Sequence, residues 1–129
     1  NDAYNANPAS VKAALQTLAE LPCRGRRIAV LGDMFELGKQ AAQEHRRLGK
    51  DAARSAIDFL YLLGDRAALV RHGALTAGMS PERIIIGKDH TELAERLRAQ
   101  VKKGDCLLFK GSRGMKMEKV LDGLKSGKA

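Results

Sequence analysis

The sequence predicts an α/β fold, a mostly parallel β-sheet covered by helices on both faces to make three layers. Three observations predict it. Short apolar runs alternate with helical stretches along the whole chain, the pattern of strand–helix–strand crossover units. The runs are continuously apolar rather than alternating, which marks strands buried on both faces. Each run ends in Gly with a polar residue close behind, as in Gly32-Asp33, Gly64-Asp65, Gly87-Lys88-Asp89 and Gly111-Ser112-Arg113. In such sheets the loops beyond the strands' carboxyl ends gather along one edge, where ligands bind.

The elements follow in order. A helix runs from Pro8 to Leu21, with Val11, Ala14, Leu15, Leu18 and Leu21 at helical spacing. Asn7 is its natural N-cap, and Pro8 fits the first turn, where a missing N–H costs nothing. Arg27 to Leu31 is the first strand, ended by Gly32, and Gln40 to Ala56 is Ala-, Arg- and Glu-rich, hence helical. Asp58 to Leu63 is the second strand, ended by Gly64, and Asp65 to Ala77 a helix with Asp65 as its possible cap. Arg83 to Ile86 is the third strand, followed by a helix from about Thr91 to Lys103. Cys106 to Lys110 is the fourth strand, and the last helix runs from about Met115 to Leu124 with Met117, Val120, Leu121 and Leu124 inward. The opening polar segment leads into a helix, so it is expected to follow a strand preceding Asn1 and to lie on the same ligand-binding edge. The start at Asn1 then reads as a cut at a domain boundary.

A chain of 129 residues is one domain, able to bury roughly two-thirds of its unfolded surface without staples. No apolar run approaches the ~20 residues that cross a bilayer, and nothing resembles a signal peptide. Cys23 and Cys106 are too few and too far apart in sequence for a disulfide framework or a metal site, which predicts a reducing cytoplasm. The 23 basic and 15 acidic residues leave a formal charge of +8. That charge is scattered over nearly every segment, and aromatic residues able to stack on bases are nearly absent, so no nucleic-acid partner is expected.

Two loops carry chemistry. Lys110-Gly111-Ser112-Arg113-Gly114 combines two glycines, two cations and a hydroxyl ahead of a helix, which suits a phosphate or carboxylate. The bland alternative is a strand-to-helix turn with solvated cations. In Gly32-Asp33-Met34-Phe35-Glu36-Leu37-Gly38 the two carboxylates could bind Mg²⁺ or orient an amine. By itself that segment favours a turn with Asp33 capping and Met34, Phe35 and Leu37 covering the core. His45 reads as a packing or surface residue, His72 and His90 as structural. Asp2, Tyr4 and Asn5 are polarity beyond what the cap at Asn7 uses, with Tyr4 as ready to pack as to stack on a ring. No G-x-G-x-x-G follows any strand and no G-x-x-x-x-G-K-[ST] loop appears, so a triphosphate is not held here in the usual way.

Taken together, three segments resemble one family. Asp2 to Ser10, Leu31 to Gly38 with His45, and Lys110 to Glu118 are similar, in motif order and spacing, to the C-terminal domain of the Mur ligases along nearly the whole chain. Within it the likeness is to the member that joins D-alanyl-D-alanine to a UDP-N-acetylmuramoyl-tripeptide. The resemblance implies a Rossmann-like three-layer domain over residues 1–129, with an N-terminal UDP-sugar domain and a central ATPase domain outside this sequence. It implies peptidoglycan precursor synthesis in a bacterial cytoplasm by a monomer without membrane insertion. ATP would phosphorylate the tripeptide carboxylate, the dipeptide amine would attack the acyl phosphate, and phosphate would leave. ATP and Mg²⁺ would sit mainly on the central domain, and this segment alone would be inactive, with no catalytic residue or metal ligand of its own. By motif position, Asp2, Asn5 and Asn7 would meet the nucleotide on closure, and Asp33 and Glu36 would line the cleft near the amine. Lys110, Ser112 and Arg113 would meet the dipeptide carboxylate or the phosphates, while the roles of His45 and Tyr4 stay open. The competing reading is a stand-alone basic Rossmann-like module that binds a nucleotide or nucleic acid.

Overall fold

The computed structural model describes residues 6–126. The helices are α1 (Pro8–Glu20), α2 (Ala41–Arg54), α3 (Ala67–Thr76), α4 (His90–Gln100) and α5 (Glu118–Ser126). The strands are β1 (Arg27–Leu31), β2 (Phe59–Leu62), β3 (Ile84–Ile86) and β4 (Cys106–Lys110). They form one sheet in the order β3-β2-β1-β4, with every pair parallel. The fold class read from the sequence is the one observed.

Two cores sandwich the sheet. Ala29, Leu31, Leu60 and Leu62 face α1, α2 and α3, which contribute Leu15, Leu48 and Val70 among others. Ile28, Val30, Tyr61 and Phe109 face α4 and α5, which contribute Leu93, Leu97 and Val120. Successive strand residues thus alternate between two buried faces, which is why the runs are continuously apolar. On the first face, α2 and α3 touch backbone to backbone at Gly49 and Gly73. A Cβ at Gly49 would collide with the Val70 carbonyl, and one at Gly73 with that of Arg46.

Local chemistry accounts for the starts of α1 and α4. Asn7 Oδ1 accepts from the Ser10 N–H at 2.9 Å while Ser10 Oγ accepts from the Asn7 N–H at 3.0 Å, a reciprocal capping box. Asp89 caps α4 by accepting from the Glu92 N–H at 2.8 Å. Two expectations are corrected. Asp65 makes no cap for α3; the first turn is held instead by Asp33, whose Oδ1 accepts from the Arg66 N–H at 3.0 Å. Nor does the last helix start at Met115. Residues Arg113–Met115 form one 3₁₀ turn, Lys116 is left-handed at φ 51°, and α5 begins at Glu118. The break drives Met117, fully buried, against the glycine ends of β1 and β4. A Cβ at Gly32 would lie 2.7 Å from Met117 Sδ, and one at Gly111 2.6 Å from its Cγ.

Candidate functional site

The strand order puts a topological switch between β1 and β4, since the chain moves outward from β1 to β3 and then returns to the other side of β1. Ligands bind at such points, beyond the carboxyl ends of the strands. Both glycine-containing loops singled out in the sequence lie there, and they are laced together. Gly32 N–H donates to the Lys110 carbonyl at 2.8 Å, and Ser112 N–H to the Asp33 carbonyl at 2.9 Å. The Ser112 hydroxyl accepts from the Phe35 N–H at 2.6 Å and donates to the Ala6 carbonyl at 3.4 Å. One serine therefore joins the segment entering α1 to the loops after β1 and β4.

His45 completes the lacing from below. Its ring is fully buried on α2, where Nε2 accepts from the Met34 N–H at 3.0 Å and Nδ1 meets the Ala41 carbonyl at 2.7 Å. Those partners assign the tautomer: Nε2 must be unprotonated to accept, so Nδ1 carries the proton and donates. His45 is a latch for the loop after β1. Asp33 is buried as well, and burial pushes its carboxyl above the usual range against the lowering effect of the Arg66 N–H. Its charge is directed at the N-terminus of α3.

The sequence-predicted residues divide accordingly. Asp33, Lys110 and Ser112 are buried, whereas Glu36 and Arg113 are exposed. Glu36 holds a left-handed conformation at φ 62°, costly for a non-glycine residue and sustained only where the surrounding structure fixes it. The Phe35 ring lies over Gly114, where an added Cβ would come within 2.6 Å of Cε2. The loop after β4 runs into a 3₁₀ turn rather than an α-helix, so its anion-binding capacity rests on Arg113 and the loop backbone rather than on a helix dipole. Asn7 is exposed and serves α1 as its cap. Asp2, Tyr4 and Asn5 lie outside the described residues.

An open cavity of about 510 Å³ lies on this edge, lined by Asp33, Phe35, Glu36, Asp65 and Arg66 among others. Glu36 and Asp65 offer exposed carboxylates to an ammonium, and Arg66 a guanidinium to a carboxylate. A second, about 360 Å³, lies between Asp65, Lys88, His90 and Met115, with His90 Nε2 on the Met115 carbonyl at 2.7 Å. Asp65, Arg66 and Lys88 were missed as site residues in the sequence. The signal was present, since each follows a Gly at a strand end. Among the described residues no group of three or more His, Cys, Asp or Glu could hold a metal ion.

Comparison with known proteins agrees in sequence and in structure. The family described as "Mur ligase, glutamate ligase domain" matches residues 1–113. The UDP-N-acetylmuramoyl-tripeptide–D-alanyl-D-alanine ligase of Bacillus subtilis is 37% identical over 124 residues, which is 96% of this chain and 27% of that protein. MurF from Acinetobacter baumannii superposes with a TM-score of 0.83 at 31% identity, covering 96% of this chain and 27% of that one. MurF ligase from Thermotoga maritima, solved in complex with ADP, does so with a TM-score of 0.77 at 30% identity, covering 95% and 26%. The chain thus spans about a quarter of the length of the curated relatives it matches.

Proposed function

The chain belongs to the Mur ligase family, as its glutamate ligase domain, and from that premise we propose that it is the C-terminal domain of a ligase joining D-alanyl-D-alanine to UDP-N-acetylmuramoyl-tripeptide. The observation that carries this reading is the 37% identity sustained over 96% of the chain to a ligase named for that reaction. The proposed partners are a UDP-sugar-binding domain and a central ATPase domain of the same protein, acting as a monomer in a bacterial cytoplasm. ATP, held with Mg²⁺ chiefly by the central domain, supplies the phosphoryl group that activates the tripeptide carboxylate for attack by the dipeptide amine.

This domain's contribution is closure and orientation. On closing, its strand-end loops exclude water that would hydrolyse the acyl phosphate. Glu36 receives the ammonium of the incoming dipeptide, and Arg113, with Lys110 behind it, receives a carboxylate or phosphate. Asp33, Ser112 and His45 act beneath them, fixing the loops on which those groups ride. Asp2, Asn5 and Asn7 reach the nucleotide from the segment before α1. The ADP bound by the Thermotoga relative supports the nucleotide part of this reading.

The test is release of inorganic phosphate by the full-length protein given ATP and UDP-N-acetylmuramoyl-tripeptide. Turnover is expected to require D-alanyl-D-alanine. Equal turnover with a single amino acid in place of the dipeptide would assign the chain to a different ligase of the family.

A further inference from the structure

Cys23 and Cys106, far apart in sequence, meet at the sheet edge opposite the candidate site. Cys106 opens β4, and Cys23 lies between α1 and β1. Three ties bring their side chains together. Both thiols point at the Gly104 carbonyl, from 3.6 Å and 3.9 Å. The Arg26 carbonyl accepts from the Cys106 backbone N–H at 2.9 Å and from the Cys23 thiol at 3.6 Å. The Cys106 thiol is also within hydrogen-bonding reach of Cys23. Both cysteines are free and half-buried, so a small reagent can approach them.

We propose that Cys23 and Cys106 form an oxidisable dithiol site that closes to an intramolecular disulfide by exchange with a low-molecular-weight disulfide such as oxidised glutathione. One protein thiolate attacks the small disulfide, forms a mixed disulfide and expels the first small thiolate. The second protein thiolate attacks the protein sulfur of that mixed disulfide and expels the other. The protein gives up two electrons and two protons, and the small disulfide is reduced to two thiols. The hydrogen bond to Cys23, together with burial, pushes the Cys106 thiol above its ordinary range. Whichever cysteine carries the mixed disulfide, the other lies beside it, held at the same Gly104 carbonyl, and resolves it.

The bridge would tie the segment entering β1 to the first residue of β4. Those are the strands whose far ends carry Asp33 and Ser112, so the pair would be clamped at one end while the site loops stay untouched. In a reducing compartment the bridge forms only under oxidative load.

The test uses the 129-residue chain, fully reduced and then incubated with oxidised glutathione. Both titratable thiols are expected to disappear, the intact mass to fall by two hydrogens, and digestion to yield a Cys23–Cys106 cross-linked peptide. Cys23→Ser and Cys106→Ser should each stop at a stable glutathione adduct. A doubly glutathionylated monomer, a disulfide-linked dimer or two unreacted thiols in the unmodified chain would each overturn the proposal.

Discussion

Gly49→Ala is expected to destabilise the domain, opposite in sign to what helix propensity gives. Inside a helix, Ala is favoured over Gly by about 1 kcal/mol, and Gly49 lies well within α2. Yet a Cβ at that position would land on the Val70 carbonyl oxygen, 2.7 Å from the Ala74 nitrogen and 2.9 Å from the Val70 carbon. All three atoms are backbone, so no rotamer change relieves the contact and α3 must move as a body. Overpacking of this kind typically costs about 1–3 kcal/mol, and a backbone collision belongs at or above the top of that range. A gap of ~0.5–1 Å between the helices would also forfeit a quarter to a half of the dispersion attraction at each contact across it. Leu48, Ala52, Val70 and Ala74 all lie in this core. Setting the propensity gain against these terms leaves a net loss of about 2 kcal/mol. Urea denaturation followed by circular dichroism measures it. With a slope of about 1–3 kcal/mol/M, the midpoint should drop by roughly 1 M. Gly73→Ala meets the Arg46 carbonyl from the other side of the same seam, so the double variant should lose less than the two single losses added. A Gly49→Ala midpoint at or above that of the parent would refute the reasoning.

Three further outcomes follow from the site and its supports. Burial raises the Asp33 carboxyl, so between its unfolded value of about 3.9 and its folded value the native state binds more protons and stability falls as pH rises. Asp33→Asn keeps an oxygen for the Arg66 N–H and removes that slope, so urea midpoints of the variant should gain on the parent through this window and hold that gain above it, whatever the offset below it; a parent that gains instead contradicts the assignment. Asp105 is the opposite case. Burial raises its carboxyl, but the Arg26 and Lys102 N–H groups and the Arg26 guanidinium outweigh that and lower it overall. Its stabilisation is complete above the unfolded value of about 3.9 and is lost as pH falls through the lowered folded value. Asp105→Ala should cost about 2–4 kcal/mol near neutrality by orphaning those donors and flatten the acid limb of a midpoint-against-pH plot, whereas an unchanged limb would rule this out. On the proposed function, Arg113→Ala in the full-length protein should raise the dipeptide or ATP KM by about 10-fold or more, the worth of one charge-assisted hydrogen bond, with the urea midpoint of the chain unmoved. Unchanged KM values and turnover would remove Arg113 from the site.

What the sequence revealed, and what it hid, follows the range of the interactions. The strands were legible because each carries its own evidence, an apolar run closed by Gly, and the cap at Asn7 because its partner Ser10 is three residues away. His45 was half legible: Ala41, His45, Leu48 and Ala52 share the buried face of α2, so its burial could be read from spacing while its bond to Met34 could not. The start of α5 was illegible because Met115-Lys116-Met117-Glu118 has good helical spacing. The left-handed Lys116 is imposed by Met117 finding room against Gly32 and Gly111, residues far away in the chain. The Asp33 cap on α3 and the pairing of Cys23 with Cys106 were hidden for the same reason. Each joins segments that only the parallel sheet brings together.

The same distinction separates buried supporting groups from exposed charged ones at the switch point. Asp33, His45 and Ser112 are polar, buried and already hydrogen-bonded to backbone on neighbouring segments. A buried polar group in that state holds geometry firmly, because releasing any partner leaves an unpaired donor or acceptor away from water. Glu36, Asp65, Arg66, Lys88 and Arg113 are exposed, and they come from the loops after all four strands. A charge on an exposed loop is useful to a substrate only if the loop does not wander, since a displacement of about 1 Å can cost on the order of 100-fold in rate. The buried residues supply that constraint. This also explains why the motif that carries the family resemblance mixes the two kinds, with Asp33 and Glu36 three residues apart in one loop. One faces inward to fix the loop to α3, and the other, in a left-handed turn that the fixed loop sustains, faces the solvent where a substrate would arrive.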